Sequence, residues 1–122
     1  KKQVVAARRD TLERIAVKEE ELIENINGML KEIQDSLFNR AKHFLDERIT
    51  SVKTYDEFKK VLRKKGGFIK ACWCSNQTCE EKIKEETGAT IRLIPFEKEE
   101  AFSKCIYCDG EAKEVVYFAR AY

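Results

Sequence analysis

Four of the five cysteines occur as two pairs whose spacing is typical of metal ligands. Cys74 and Cys79 are separated by four residues, and Cys105 and Cys108 are separated by two. A loop of either length lets two sulfurs reach one ion, and two such pairs complete a tetrahedron around it. Four thiolates suit Zn²⁺ in a structural role, because a closed shell leaves no coordination position for a substrate. The spacing therefore predicts a structural zinc site.

The same four cysteines are compatible with two alternatives to zinc. Reduced cysteine is often buried, so packing of the thiols as small hydrophobic side chains is one alternative. An iron–sulfur cluster is the second, since it also accepts four cysteines. The fifth cysteine, Cys72, has no partner by spacing and stands beside Trp73 at the end of a predicted strand, so we expect that it is not a ligand. The clustering favours a reduced compartment over a disulfide framework.

Little else in the sequence has the pattern of a catalytic or binding site. The only histidine, His43, lies in a predicted helix, which leaves no Ser/His/Asp arrangement, and the five glycines form no phosphate-binding loop. The 24 basic and 22 acidic residues give a net charge of +2, which argues neither for nor against a nucleic-acid partner. No apolar run is long enough to span a membrane, so no membrane partner is expected.

The first part of the chain is predicted to contain two strands and a long helix. Residues 3–8 and 14–18 have strand character, and two strands alone are not stable, so they are expected to be the edge of a larger sheet. From Glu19 to about Arg48, apolar residues recur at three- and four-residue steps, which predicts one amphipathic helix with its apolar stripe in a core. Gly28 weakens this helix by about 1 kcal/mol and predicts a local break.

The second part is predicted to be a small domain of short helices and strands. Capping boxes beginning at Thr54 and at Thr78 predict two helices, of which the second ends at Gly88. The predicted strands cover residues 68–73, 90–96 and 113–122. The expected fold class is therefore α+β: a long helix leads into a small mixed domain that a four-cysteine zinc site holds together.

Several segments of the chain occur in an order that is specific to one family. They are GGFIKACWC, CEEKIKEETGATIRLIPFE, KCIYC and the terminal YFARAY. Together they resemble the last domain of prolyl-tRNA synthetase of the archaeal and eukaryotic type, from about Asp46 to Tyr122. The segment QVVAARRDT resembles the final strand and turn of the same enzyme's anticodon-binding domain. The resemblance implies that residues 1–50 are the end of that domain with the connecting helix, and that residues 51–122 are the C-terminal zinc-binding domain.

The resemblance also implies roles for individual residues. The family's zinc ligands fall on Cys74, Cys79, Cys105 and Cys108. Cys72 departs from the family pattern, in which a proline or another non-cysteine residue usually precedes the tryptophan, and it adds a free thiol. Where Tyr122 is the natural end of the chain, its carboxylate is expected to reach toward the active site of the parent enzyme. No catalytic residue is expected within this chain.

The function implied by the resemblance is that of a much longer enzyme. Members of the family activate proline with ATP as an adenylate and transfer it to tRNA(Pro). The parent is thus expected to be a cytoplasmic class II ligase that forms a homodimer through its catalytic domain. That domain binds ATP and proline and is absent here, so we expect this chain alone to be inactive and monomeric, contacting the catalytic and anticodon-binding domains only within the parent. The alternative is a stand-alone zinc-ribbon-like module that binds tRNA or a protein partner.

Overall fold

A computed structural model describes residues 2–121 of the chain, which divides into two units, Lys1–Phe44 and Leu45–Tyr122. The strands are β1 (Gln3–Ala7), β2 (Arg14–Lys18), β3 (Ile49–Ser51), β4 (Phe68–Trp73), β5 (Ala89–Leu93) and β6 (Glu114–Arg120). The helices are α1 (Leu22–Glu47), preceded by a 3-10 turn at Glu19–Glu21, α2 (Tyr55–Lys64) and α3 (Gln77–Thr87). This architecture confirms the predicted α+β class. Among residues 2–121, no helix has both the length and the apolar character needed to cross a membrane.

In the first unit, the two predicted strands are present as β1 and β2, which form an antiparallel hairpin. Arg8 binds the turn of this hairpin, since its Nε and Nη2 atoms donate to the Asp10 carboxylate at 3.1 and 2.9 Å. Its Nη1 atom donates to Glu32 of α1 at 2.7 Å. One guanidinium therefore links the hairpin to the helix that follows it.

Helix α1 differs from the prediction in two ways. It continues through Gly28 without interruption, so the predicted break is wrong. A single glycine costs only about 1 kcal/mol, which the uninterrupted turns on both sides absorb. The predicted core packing of its stripe is also wrong, because no residue of α1 is buried, and Ile23, Leu30 and Leu37 are 79%, 59% and 47% exposed. Two short strands offer too little surface to cover a helix of 26 residues.

The second unit contains a four-stranded sheet in the order β3-β4-β6-β5. Strands β4 and β5 each pair antiparallel with β6, whereas β3 pairs in parallel with β4. Strand β3 is absent from the sequence prediction, because it has only three residues and its partner lies nearly twenty residues away. Buried apolar side chains from helices and sheet form one core: Val52, Phe58, Leu62, Ile69, Ala71, Ile83, Ala89, Ile106, Val116 and Phe118.

Helices α2 and α3 lie where they were predicted, but the hydrogen bonds at their N-termini differ from the predicted capping boxes. Thr54 caps α2 by accepting from the Glu57 amide at 3.3 Å, but the Glu57 carboxylate accepts from the amide of Lys53 rather than from that of the cap residue. The predicted cap at Thr78 is wrong. Asn76 caps α3 instead, accepting from the Thr78 amide at 2.9 Å, because asparagine two residues earlier is an equally good cap. The helix ends at Gly88 in the left-handed conformation, as predicted.

Candidate metal centre

The four predicted ligands come from two segments that converge beside β4. Cys74 directly follows β4, and Cys79 lies in the first turn of α3. Cys105 and Cys108 lie in the irregular segment between β5 and β6, in a turn closed by the Asp109 amide donating to the Cys105 carbonyl at 3.1 Å. The Ile106 amide donates to the Cys72 carbonyl at 2.9 Å, which attaches this turn to the end of β4.

The four sulfurs are arranged as ligands of a single ion would be. All four Sγ atoms lie within 4.8 Å of one another, with Cys74 to Cys79 at 3.6 Å and Cys74 to Cys108 at 3.8 Å. A regular tetrahedron of sulfurs bound at about 2.3 Å has edges of about 3.8 Å. None of the five cysteines, all of which lie within the described residues, forms a disulfide. The group could therefore hold a metal ion, and its all-sulfur donor set suits a soft, tetrahedral one.

The pKa values of two thiols in the group are shifted in opposite directions. Burial, followed by the neighbouring Cys74 and Cys108 sulfurs, raises the pKa of Cys79 far above that of a free thiol. Burial also raises the pKa of Cys105, but the backbone amides of Cys108, Tyr107 and Cys74 outweigh it by donating to the sulfur, and lower this pKa to about 7. A divalent cation that binds these cysteines as thiolates must release the protons that they carry.

Two further residues of the sequence analysis fall outside the group. Cys72 is completely buried on β4, opposite Val115 of β6, and does not belong to the four-sulfur group. Tyr122, whose carboxylate is expected to reach the parent active site, lies outside the described residues. The assignment of the four cysteines as zinc ligands stays a prediction at this point.

A cluster beside the metal centre was missed by sequence reasoning. We call Tyr55, Glu86 and Tyr107 the tyrosine–glutamate cluster. Both tyrosine hydroxyls donate to the Glu86 carboxylate, at 2.8 Å from Tyr55 and 2.9 Å from Tyr107. These two bonds lower the pKa of Glu86, whereas burial and then Glu86 raise the pKa of Tyr55. A glutamate on a charged helix is ordinarily solvated, and only the seven-residue spacing from Cys79 could have indicated a different role.

Comparisons with known proteins agree along the whole chain. The family model for the C-terminal region of prolyl-tRNA synthetase matches residues 55–122. Proline–tRNA ligase 2 of Bacillus cereus (strain ATCC 10987 / NRS 248) is 51% identical over 122 residues, which are 100% of this chain and 26% of the relative. Proline–tRNA ligase of Alkaliphilus oremlandii (strain OhILAs) is 47% identical over 120 residues, covering 98% of this chain and 25% of the relative.

A solved structure agrees with the fold as well. The crystal structure of prolyl-tRNA synthetase from Cryptosporidium parvum, complexed with L-proline and AMP, superposes with a TM-score of 0.88 at 34% identity. The match covers 99% of this chain and 26% of that one, so the chain spans about a quarter of the proteins that it resembles. The archaeal and eukaryotic-type designation stays a prediction. The family match over residues 55–122, supported by relatives that align with the entire chain, means that this protein belongs to the prolyl-tRNA synthetase C-terminal family.

Proposed function

We propose that this chain is the carboxyl-terminal part of a proline–tRNA ligase and that it holds one structural Zn²⁺. The observation that carries the proposal is the alignment of the whole chain with ligases of which it covers about a quarter. The parent attaches proline to tRNA(Pro) in two steps that consume ATP. The chain contributes a folded support for the catalytic and anticodon-binding domains of the same polypeptide, in a homodimeric cytoplasmic enzyme.

The proposed zinc ligands are Cys74, Cys79, Cys105 and Cys108. Sulfur separations of 3.6 and 3.8 Å support one ion, because a cluster of several irons needs its cysteine sulfurs farther apart. They argue equally against unligated packing, in which nothing would draw four thiols into a tetrahedron. When bound, the ion joins the start of α3 to an irregular turn that has no regular structure of its own. Such an ion can contribute on the order of 10 kcal/mol to apparent folding stability.

Chemistry on ATP and proline belongs, in this proposal, to the part of the parent outside this chain. The four-cysteine group is a closed shell when it binds an ion, so it offers no coordination position for a substrate. The Cryptosporidium parvum enzyme that shares this fold is complexed with L-proline and AMP, in a chain about four times as long. We further propose that residues 1–50 are the end of the anticodon-binding domain with the connecting long helix, and that residues 51–122 are the zinc-binding domain.

The test compares the full-length protein encoded by the gene with this chain alone. The full-length protein is expected to catalyse proline-dependent exchange of pyrophosphate into ATP and to charge tRNA(Pro). This chain alone is expected to do neither, while retaining its fold by circular dichroism. A full-length protein that charges no tRNA with proline would overturn the proposal, and so would charging by this chain alone.

A further inference from the structure

Three separate parts of the second unit meet at the carboxylate of Glu86. Its Oε2 atom accepts from Tyr55 of α2, and its Oε1 atom accepts from Tyr107 of the turn between Cys105 and Cys108. The Lys59 Nζ atom lies 3.6 Å from the same carboxylate and 4.3 Å from the centre of the Tyr55 ring. The tyrosine–glutamate cluster therefore connects both helices to the turn that carries two of the four sulfurs.

The rings of this cluster continue into the core. Tyr107 meets Tyr55 edge to face with centroids 5.3 Å apart, and Tyr55 stacks on Phe58 at 5.8 Å. Phe58 in turn meets Phe118 of β6 edge to face at 5.2 Å, and both phenylalanines are completely buried. This row of rings gives Tyr107 a rigid support, so the position of its hydroxyl is set by the core rather than by the turn itself.

Helix α3 carries both a proposed ligand and the carboxylate. Cys79 and Glu86 are seven residues apart, about two helical turns, so they lie on the same face at an axial separation of about 10.5 Å. The opposite pair of sulfurs lies in a segment without helix or strand. Tyr107 lies in that segment, between Cys105 and Cys108, and its hydroxyl donates to Glu86. One residue of the turn that carries two sulfurs is thus bound to the helix that carries Cys79.

We propose that Glu86 is a positioning residue for the metal centre: by binding the Tyr107 hydroxyl, it holds the Cys105–Cys108 turn at the distance from Cys79 that a single ion requires. This inference rests on the proposed zinc site. The consequence is slower loss of the ion, because opening of the turn must break the Tyr107–Glu86 bond. Groups outside the ligand shell that orient ligands typically change metal affinity about ten- to a hundredfold.

The chain provides a matched control for this idea. Tyr107→Phe and Tyr55→Phe each remove one hydroxyl donor from the same carboxylate and keep the ring. Only Tyr107 belongs to the metal-binding turn. If the cluster only added stability to the second unit, both changes would affect zinc binding equally, whereas a positioning role predicts a larger effect of Tyr107→Phe.

The experiment measures zinc transfer from the intact chain to a chromophoric chelator, together with thermal unfolding. Tyr107→Phe is expected to accelerate zinc transfer about tenfold and to weaken binding in competition by a similar factor, while Tyr55→Phe changes both less than about twofold. Both variants are expected to lower the unfolding temperature similarly. In a Glu86→Ala background, Tyr107→Phe is expected to add less than about twofold, because the acceptor is already gone.

Each outcome decides a different point. Equal effects of the two tyrosine variants on zinc transfer, or no effect of Tyr107→Phe, would overturn the positioning role while leaving the zinc site in place. A full additional effect of Tyr107→Phe in the Glu86→Ala background would also overturn it. If the unmodified chain holds no zinc, the proposed metal site itself fails, and that result is seen before any variant is compared.

Discussion

The Sγ atoms of Cys74 and Cys108 lie 3.8 Å apart, although the two residues are separated by 34 positions in the sequence. The Cys72 carbonyl accepts the Ile106 amide and the Trp73 carbonyl accepts the Lys113 amide, both at 2.9 Å, and these bonds bring the two segments together. They attach the segment between β5 and β6, which carries Cys105 and Cys108, to the end of β4, which Cys74 follows. Contacts among four thiols contribute little stability by themselves, so the arrangement is better explained as a shell of metal ligands.

Substitution of single cysteines should distinguish the proposed zinc ligands from the fifth cysteine, Cys72. Cys79→Ser and Cys105→Ser are expected to abolish stoichiometric zinc binding and to unfold residues 68–122, because three remaining thiols hold the ion too weakly. Circular dichroism and metal analysis of the purified variants measure both effects.

The control is Cys72→Ala, since Cys72 is completely buried but lies outside the four-sulfur group. This variant is expected to retain its zinc and to lose about 1 kcal/mol of stability through the missing sulfur contacts. Alanine is preferable to serine here because a buried hydroxyl without a partner would add its own cost. Loss of zinc from Cys72→Ala equal to that from Cys79→Ser would contradict the ligand assignment.

The sequence was sufficient to predict what depends on local patterns and on residue chemistry. The spacing of the cysteine pairs selected the four sulfurs that converge, and the residue pattern located β1, β2, α1 and β4. Two features that the sequence did not reveal depend on tertiary contacts. Strand β3 forms only because β4 lies beside it, and Glu86 has its contacts only because α2 and the Tyr107 turn reach the same point. Tertiary partners of this kind leave no periodic signal in a single sequence.

Substitution of Gly67 tests how closely the backbone before β4 approaches Arg48, which follows α1. Its φ of +76° is left-handed, and an added Cβ would lie 2.5 Å from the Arg48 carbonyl oxygen. That oxygen also accepts from the Phe68 amide at 2.9 Å. Gly67→Ala is therefore expected to combine a conformational cost of about 1–2 kcal/mol with an overpacking cost of about 1–3 kcal/mol.

The neighbouring glycine provides the comparison for this substitution. Gly66 has a φ of +67° but open space around the position of a Cβ. Gly66→Ala should therefore show only the conformational cost of about 1–2 kcal/mol. Urea unfolding measures the difference, and equal destabilisation by both substitutions would show that the contact with Arg48 is not tight.

The Arg8–Asp10 ion pair predicts a dependence on pH in the first unit. The hydrogen bonds from the Arg8 guanidinium, opposed by burial, lower the pKa of Asp10 below its ordinary value of 3.8. A lowered pKa means that the pair stabilises the fold fully above the unfolded-state value, and that this contribution is lost as the pH falls through the folded-state value.

NMR titration of the Asp10 carboxyl carbon checks this direction. The midpoint is expected below 3.8 in the unmodified chain and higher after Arg8→Gln. Arg9→Gln is the control, because Arg9 is adjacent and exposed. An Asp10 midpoint that does not move in Arg8→Gln, or that moves equally in both variants, would contradict the pairing.

Deletion of Tyr122 tests the proposed role of the chain's last residue in the full-length enzyme. If its carboxylate approaches the active site, deletion should slow proline activation by about tenfold or more, since small displacements of positioning groups cost this much. Thermal unfolding should stay unchanged. Pyrophosphate exchange gives the rate, and undiminished exchange would remove this role from the proposal.

The most direct measurement is the metal content of this chain, purified under reducing conditions and analysed by mass spectrometry and elemental analysis. A site built from Cys74, Cys79, Cys105 and Cys108 predicts one zinc per chain and four thiols that react with a thiol reagent only after chelation. A chain that is fully folded with no bound metal, and whose four thiols react freely, would contradict it.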